Sequence, residues 1–406
     1  MNELLSLLPE MYTNDILENK LTVLPFYDEK IREKSPAERL MALSEIYEIY
    51  IPSQMSIEIY SKMYLGMFRS MQKKYTRAST LQAYENRKMM KRQEYNSVIG
   101  GSDSFTIIGN SGIGKSSAID RAVSLISEER VVEIKKPYSQ IIPCIVVQCP
   151  FDCSVKGMLL EILRKVDETL ETDFCGYGLK SKATTDMLIG SVSQVCMNHV
   201  GLLVIDEIQN VVNSKNGRIL ISSLTQLINN SGVSICMVGT PECNTFFDQT
   251  SYLARRAVGL QYTTIKYNAY FKDFCRTVFD YQYTAQTSEI SDVIIEWLYQ
   301  HSAGVVSNVV ALIHDAQEIA IVNGIELLDL DTLNAAYNQR LGMLHSYIRP
   351  SIVHNSQTSK TNTVRKTLPD KTVEQKIEKP KRSTRCNDIA AAPVVKAEEK
   401  LNPKSR

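Results

Sequence analysis

Gly109, Gly114, Lys115 and Ser116 stand at G-x₄-G-K-S spacing, after the apolar run "SFTIIG" and before an amphipathic stretch. That order of strand, glycine-rich loop and helix is the context in which such a loop binds phosphate. Residues Gly109, Asn110, Ser111, Gly112, Ile113, Gly114, Lys115, Ser116 and Ser117 would form the cradle. Glycines let backbone N–H groups turn inward, and the helix N-terminus adds its dipole. Lys115 would supply a point charge to the β- and γ-phosphates, and Ser116 a hydroxyl to Mg²⁺. Some 90 residues later "LLVIDEIQN" ends an apolar run in two acids. Asp206 can hold the Mg²⁺ or its water. Glu207 can orient and polarise an attacking water, so hydrolysis follows as an expectation. "MVGTPE" puts Thr240 where a polar side chain meets the γ-phosphate or that water. "YLARRAVGL" carries Arg255 and Arg256, either of which could reach a neighbouring subunit's γ-phosphate in trans. No N-K-x-D guanine motif follows a later strand, which favours ATP over GTP.

These residues need a scaffold, and the chain around them alternates between apolar runs and helical periods. "SFTIIG", "IIPCIVVQC", "GLLVID", "VSICMVG" and "GLQYTTI" read as five strands, with helices over 115–127, 154–171 and 217–230. Near-continuous apolar strands separated by helices indicate a buried parallel sheet. One whole strand–helix unit, 141–171, lies between the glycine loop and the acids. The expected class is α/β: a P-loop NTPase with a parallel five-stranded sheet, an N-terminal helical region and a small C-terminal helical lid. The expected divisions are 1–100, helical; 101–268, the P-loop core; 269–348, the lid; and 349–406, a disordered basic tail.

In the first division, Ser35 and Pro36 read as an N-cap and first helical position, with Leu40, Leu43, Ile46 and Ile49 at helical spacing after them. The stretch 69–92 is strongly basic, with Arg69, Lys73, Lys74, Arg77, Arg87, Lys88, Lys91 and Arg92; it reads either as a solvated face or as a phosphate contact.

The chain of 406 residues carries 46 Lys and Arg against 45 Asp and Glu, but unevenly. Residues 351–406 hold 13 basic against 6 acidic side chains, which leaves 33 against 39 in the remainder. Such a polar, basic tail is expected to be disordered, as a linker or as an arm for nucleic acid or an acidic partner. The nine cysteines are odd in number and scattered; "CPFDC" has no second pair or nearby His, so free buried thiols in a reducing cytosol fit better than zinc. No apolar run reaches membrane-span length and the N-terminus does not read as a secretory signal. A cytoplasmic protein without membrane contact is expected.

The glycine loop, "IDEIQN", "VGTPE" and "LARR" followed by a helical lid resemble an AAA+ ATPase. Within that class the chain resembles the TniB/TnsC family of transposition regulators, relatives of the phage Mu B protein. "LLPEMYTNDIL", "LPFYDEKIREKSPAERL" and "YEIYIPS" ahead of the core are similar to that family. The resemblance covers roughly residues 1–345.

It implies ATP and Mg²⁺ as cofactors, and a homo-oligomer, a ring or helical filament on double-stranded DNA. It implies contacts to a target-selecting protein and a transposase, with slow hydrolysis resetting the assembly. Lys115 and Ser116 match Walker A, Asp206 and Glu207 Walker B, Thr240 sensor 1, and Arg255 or Arg256 the finger. The sensor-2 arginine of many AAA+ lids is missing: after Gly304 stand Ser307 and Asn308. Lys156, then Lys180 and Lys182, are the candidate DNA contacts, through phosphates and without sequence specificity. Two other readings keep the fold: a replication initiator or loader, and a signalling ATPase directed at protein.

Overall fold

The computed structural model describes residues 3–100, 104–128, 131–135, 138–180, 183–249 and 258–348. Arg255, Arg256, Lys182 and the tail from 349 lie outside them, and so does the side chain of Lys180. All the described residues fall within one unit, Met1–Val353.

The N-terminal part is helical: α1 (Asn14–Leu21), α2 (Pro36–Ala42), α3 (Gln54–Lys73) and α4 (Arg77–Met90). Ser35 caps α2 as its sequence suggests. Its hydroxyl accepts from the Glu38 N–H while Glu38 accepts from the Ser35 N–H at 3.1 Å. Such caps contribute about 1 kcal/mol. The period through Leu43, Ile46 and Ile49 does not continue as one α-helix. It tightens to a 3₁₀ helix over Leu43–Glu48, because Tyr50 must extend to bridge Val23.

The P-loop part runs β1 (Ser104–Gly109), α5 (Lys115–Ile126), β2 (Val132–Lys135), β3 (Tyr138–Gln148), α6 (Val155–Leu170), α7 (Phe174–Lys180), α8 (Thr185–His199) and β4 (Val200–Asp206). It continues through α9 (Asn210–Asn213), α10 (Gly217–Ser231), β5 (Ser234–Gly239), α11 (Cys243–Phe247) and β6 (Leu260–Tyr262). The sheet order is β2-β3-β4-β5-β1-β6. Five strands are parallel, as expected, with Thr106 beside Met237 and Val204 beside Cys236. The sheet has a sixth strand that the expectation lacked: β2 runs antiparallel on the β3 edge, Val132 facing Ile141. Four residues with one buried face at an edge leave too short an alternation to read. Helix α8, also unread in the sequence, lies in the connection from β3 to β4 and packs on that face of the sheet. Its buried set mixes Leu188, Ile189 and Val192 with Gly190 and Ser193, which blurs the apolar period.

The C-terminal helices, over the stretch expected as the lid, are α12 (Ala269–Asp280), α13 (Asp292–Ser302), α14 (Val306–Val322) and α15 (Leu330–Arg340). Among the described residues no single helix is long and apolar enough to cross a membrane; α13 and α14 pass that test only as a pair bent by 118°.

Three apolar clusters hold these parts. One joins α6, α8 and α10 to the sheet through Leu163, Val192 and Leu224. A second lies on the α5 side and takes Leu17, Ile59 and Met63 from the N-terminal helices. The third is the lid core, which takes Leu43, Ile46 and Ile49 from the same N-terminal stretch. The N-terminal region therefore packs on the sheet with one part and on the lid with another.

Candidate nucleotide site

Parallel strands bring the ends of β1, β4 and β5 to one edge of the sheet, where α/β folds bind ligands. Gly112 and Gly114 have φ of 77° and 94°, the left-handed region that glycine enters freely. Gly114 caps α5, so Lys115 begins that helix. The Lys115 ammonium folds back and donates to the carbonyls of Gly109 at 2.8 Å and Asn110 at 2.7 Å. Burial pulls its pKa below the ordinary value, against the opposing field of Asp206 and Glu207.

Asp206 closes β4, and its Oδ1 accepts from the Glu207 N–H at 2.8 Å. Glu207 has φ of 57°, an uncommon conformation for its type, and its carboxylate accepts from the Gln209 side-chain amide. The turn is anchored to β5 by the Ile208 N–H donating to the Val238 carbonyl at 2.9 Å. Thr240 follows β5, and its hydroxyl donates to Glu242 at 2.7 Å, leaving its oxygen as an acceptor toward the cleft. Ser111, Gly112, Gly114, Lys115, Ser116, Ser117, Asp206, Glu207 and Thr240 line one cleft, joined by Gln209 and Ser307. The expected phosphate and acid residues thus converge. Of the rest, Asn110 lines a neighbouring cleft and Ile113 a neighbouring pocket. Lys156 is exposed in the first turn of α6, outside the cleft.

The donor set fits Mg²⁺–ATP: a backbone cradle and ammonium for phosphates, with the Ser116 hydroxyl and Asp206 carboxylate on the same cleft for a hard cation. Bound Mg²⁺ would polarise the phosphates. Glu207, the exposed acid of the pair, is the one free to take a proton from water.

Two features escaped the sequence reading. The lid touches the phosphate loop directly: the Ser307 N–H donates to the Gly112 carbonyl at 3.2 Å. A Cβ on Gly112 would lie 2.5 Å from the Ser307 hydroxyl, so only glycine fits there. Beside the loop is an apolar pocket walled by Tyr47, Ile49 and Met55, by Ile113, and by Tyr270 and Phe274 of the lid. Tyr270 donates its hydroxyl to the Ile51 carbonyl at 2.9 Å, and Tyr50 donates to the Ser56 hydroxyl at 2.8 Å. An apolar, aromatic pocket next to a phosphate cradle is where a nucleotide base would sit. The signal was the run "YEIYI" before Pro52, an apolar stretch too short to continue the helix.

Residues 73–266 match the family model described as the bacterial TniB protein. The resemblance read from the sequence is shown over that stretch, just under half of the 406 residues. The TniB stretch contains the whole phosphate and acid site, while the base pocket draws on both sides of it, from 47–56 and from the lid. No curated protein matches the chain.

Among solved structures, the Aeropyrum pernix Orc1 protein in complex with DNA matches at 14% identity and a TM-score of 0.42, covering 63% of this chain and 64% of that one. Drosophila ORC bound to DNA matches at 12% and 0.41, covering 84% and 70%. The Thermotoga maritima RuvB Holliday junction branch migration motor matches at 14% and 0.34, covering 64% and 66%. Likeness at this level carries nothing about activity or partners. Sheet order, cleft and the TniB match over 73–266 are similar to those of an AAA+ ATPase.

Proposed function

We propose that the protein is an ATP-dependent regulator of transposition that assembles on target DNA without sequence preference and links a target-selecting protein to a transposase. ATP hydrolysis drives disassembly. The observation that carries this is the TniB match spanning a complete phosphate, Mg²⁺ and acid cleft. In this reading the Walker A backbone and Lys115 bind the phosphates, Ser116 and Asp206 hold Mg²⁺, and Glu207 activates water. Thr240 senses the γ-phosphate, and Arg255 or Arg256 completes a neighbouring subunit's site. Lys156, with Lys180 and Lys182 after it, contacts DNA phosphates. The basic tail serves a protein contact.

The test is negative-stain imaging with duplex DNA, with and without a non-hydrolysable ATP analogue. Rings or filaments that need both are expected. Nucleotide-bound particles that ignore DNA would leave the ATPase and overturn the transposition role.

A further inference from the structure

Helix α4 buries one side and exposes the other. At about 100° per residue, Ser79, Gln82, Glu85, Asn86 and Met89 share an inner arc, and all five are buried. Arg77, Leu81, Tyr84, Arg87, Lys88 and Lys91 share an outer arc of about 120°, Leu81 being 50% and Tyr84 60% exposed. The single acid of α4, Glu85, lies on the inner side, tied to Lys88 and to the Asn96 N–H at 2.8 Å each. Arg77, Arg87 and Lys91 are exposed and form no ion pair among the described residues.

Helix stability accounts for only part of this. Cations in the last turn suit the helix dipole, which covers Arg87, Lys88 and Lys91. Arg77 is the first residue of α4, where a cation opposes the dipole, and no acid stands in that turn to offset it. The stripe reads as selected for an external anion. From Arg77 to Lys91 it runs about 21 Å, a length along which one DNA strand presents about six phosphates. Cations outnumber aromatics on this face: Tyr84 is the one aromatic of α4, and the Lys88 ammonium lies 4.7 Å over one face of its ring, which favours phosphates over stacked bases.

The stripe's place in the fold separates it from the nucleotide. Asn86 donates to the Asn230 carbonyl at 3.0 Å, just ahead of β5. Lys74, at the turn into α4, donates to the carbonyls of Cys196 and Met197, just ahead of β4. Helix α4 therefore sits at the starts of strands whose far ends carry Asp206 and Thr240.

We infer that the outer face of α4 is a phosphate-contacting surface for duplex DNA, set apart from the nucleotide cleft and from Lys156. This rests on the DNA-binding reading above and adds a second surface to it. The test uses the full chain, a fluorescent duplex and a salt titration of affinity with a non-hydrolysable ATP analogue. The triple variant Arg77→Gln, Arg87→Gln, Lys91→Gln should lower the slope of log affinity against log salt by about 2 to 3, near 0.9 per lost contact. Its DNA-free ATPase rate should match the wild type. Arg77→Lys with Arg87→Lys should keep the wild-type slope, since a phosphate needs only the charge. If the wild type binds duplex and the triple variant keeps the same slope, the α4 surface is wrong and the DNA reading stands. If the wild type binds no duplex at low salt, both fall.

Discussion

Glu207 and Gln209 form a hydrogen-bonded pair on the cleft wall. Glu207 is held in a left-handed conformation with its carboxylate on the Gln209 amide, while the Gln209 Oε1 is buried without a donor. Strain at such a position is common at catalytic residues. Removing the base while keeping the shape should separate binding from turnover. Glu207→Gln should bind ATP as the wild type does and hydrolyse it about 100-fold or more slowly, read by nucleotide affinity and phosphate release on one preparation. Equal loss of both would mean Glu207 holds the fold of the site and not the water. Lys74 shows the same residue chemistry put to structural use. It stands in the basic stretch that reads as a solvated face or a phosphate contact, yet it is 3% exposed and donates to the Cys196 and Met197 carbonyls, ending α8. Burial lowers its pKa from 10.5 to about 7. Between those values the unfolded chain binds the proton and the native one does not, so stability from this group rises with pH across that window and is flat below about 7. The stability of the wild type relative to Lys74→Met, by urea unfolding, should therefore rise from pH 7 to 10. A pH-independent difference would show that Lys74 stays charged in the native protein.

At the scale of elements, the N-terminal stretch fastens the lid. Arg39 of α2 is 4% exposed and makes a bidentate pair with Glu326, at 2.5 and 2.7 Å, while also donating to the Tyr283 carbonyl at 3.1 Å. Its guanidinium pulls the Glu326 carboxyl below the usual carboxylate range. Removing Arg39 leaves the partly exposed Glu326 carboxylate without its partner, at about 1.5–3 kcal/mol. Arg39→Ala should lose that much in urea unfolding and should weaken ATP binding as well, because the lid supplies Ser307 and one wall of the apolar pocket, Tyr270 and Phe274. Unchanged ATP affinity would mean the lid docks without α2. This linkage was not legible in the sequence, because ion pairs between residues 287 apart leave no local pattern. What could be read was local: the five parallel strands, the glycine loop, the paired acids and the Ser35 cap all follow from periodicity and residue type. The edge strand β2 and the mixed-face helix α8 could not, since each is defined by what it packs against, and the run before Pro52 marks a break at 47–51 without showing the pocket it walls.

At the scale of the molecule, the lid meets the phosphate loop with a backbone N–H where many AAA+ lids offer an arginine. Ser307 donates to Gly112, and neither Ser307 nor Asn308 can bring a positive charge to the γ-phosphate. Within one subunit the cleft then has a single described cation, Lys115, on its wall. Beyond Lys115 and a bound Mg²⁺, a guanidinium from a neighbour is a further source of charge for a transferring phosphoryl group. Isolated subunits should therefore turn over slowly, and assembly should accelerate them. If Arg255 or Arg256 is that source, Arg255→Ala with Arg256→Ala should leave the dilute, DNA-free rate within about twofold and remove the acceleration, a loss of up to about 10³-fold. The measurement is ATPase rate against protein concentration with duplex DNA, alongside imaging of the same samples. Intact assemblies with a flat rate would put the arginines in the neighbour's chemistry. Intact assemblies with full acceleration would exclude them. Absent assemblies would assign them to the interface itself, and the acceleration would then have to return when the variant is mixed into wild-type assemblies that supply the missing contact.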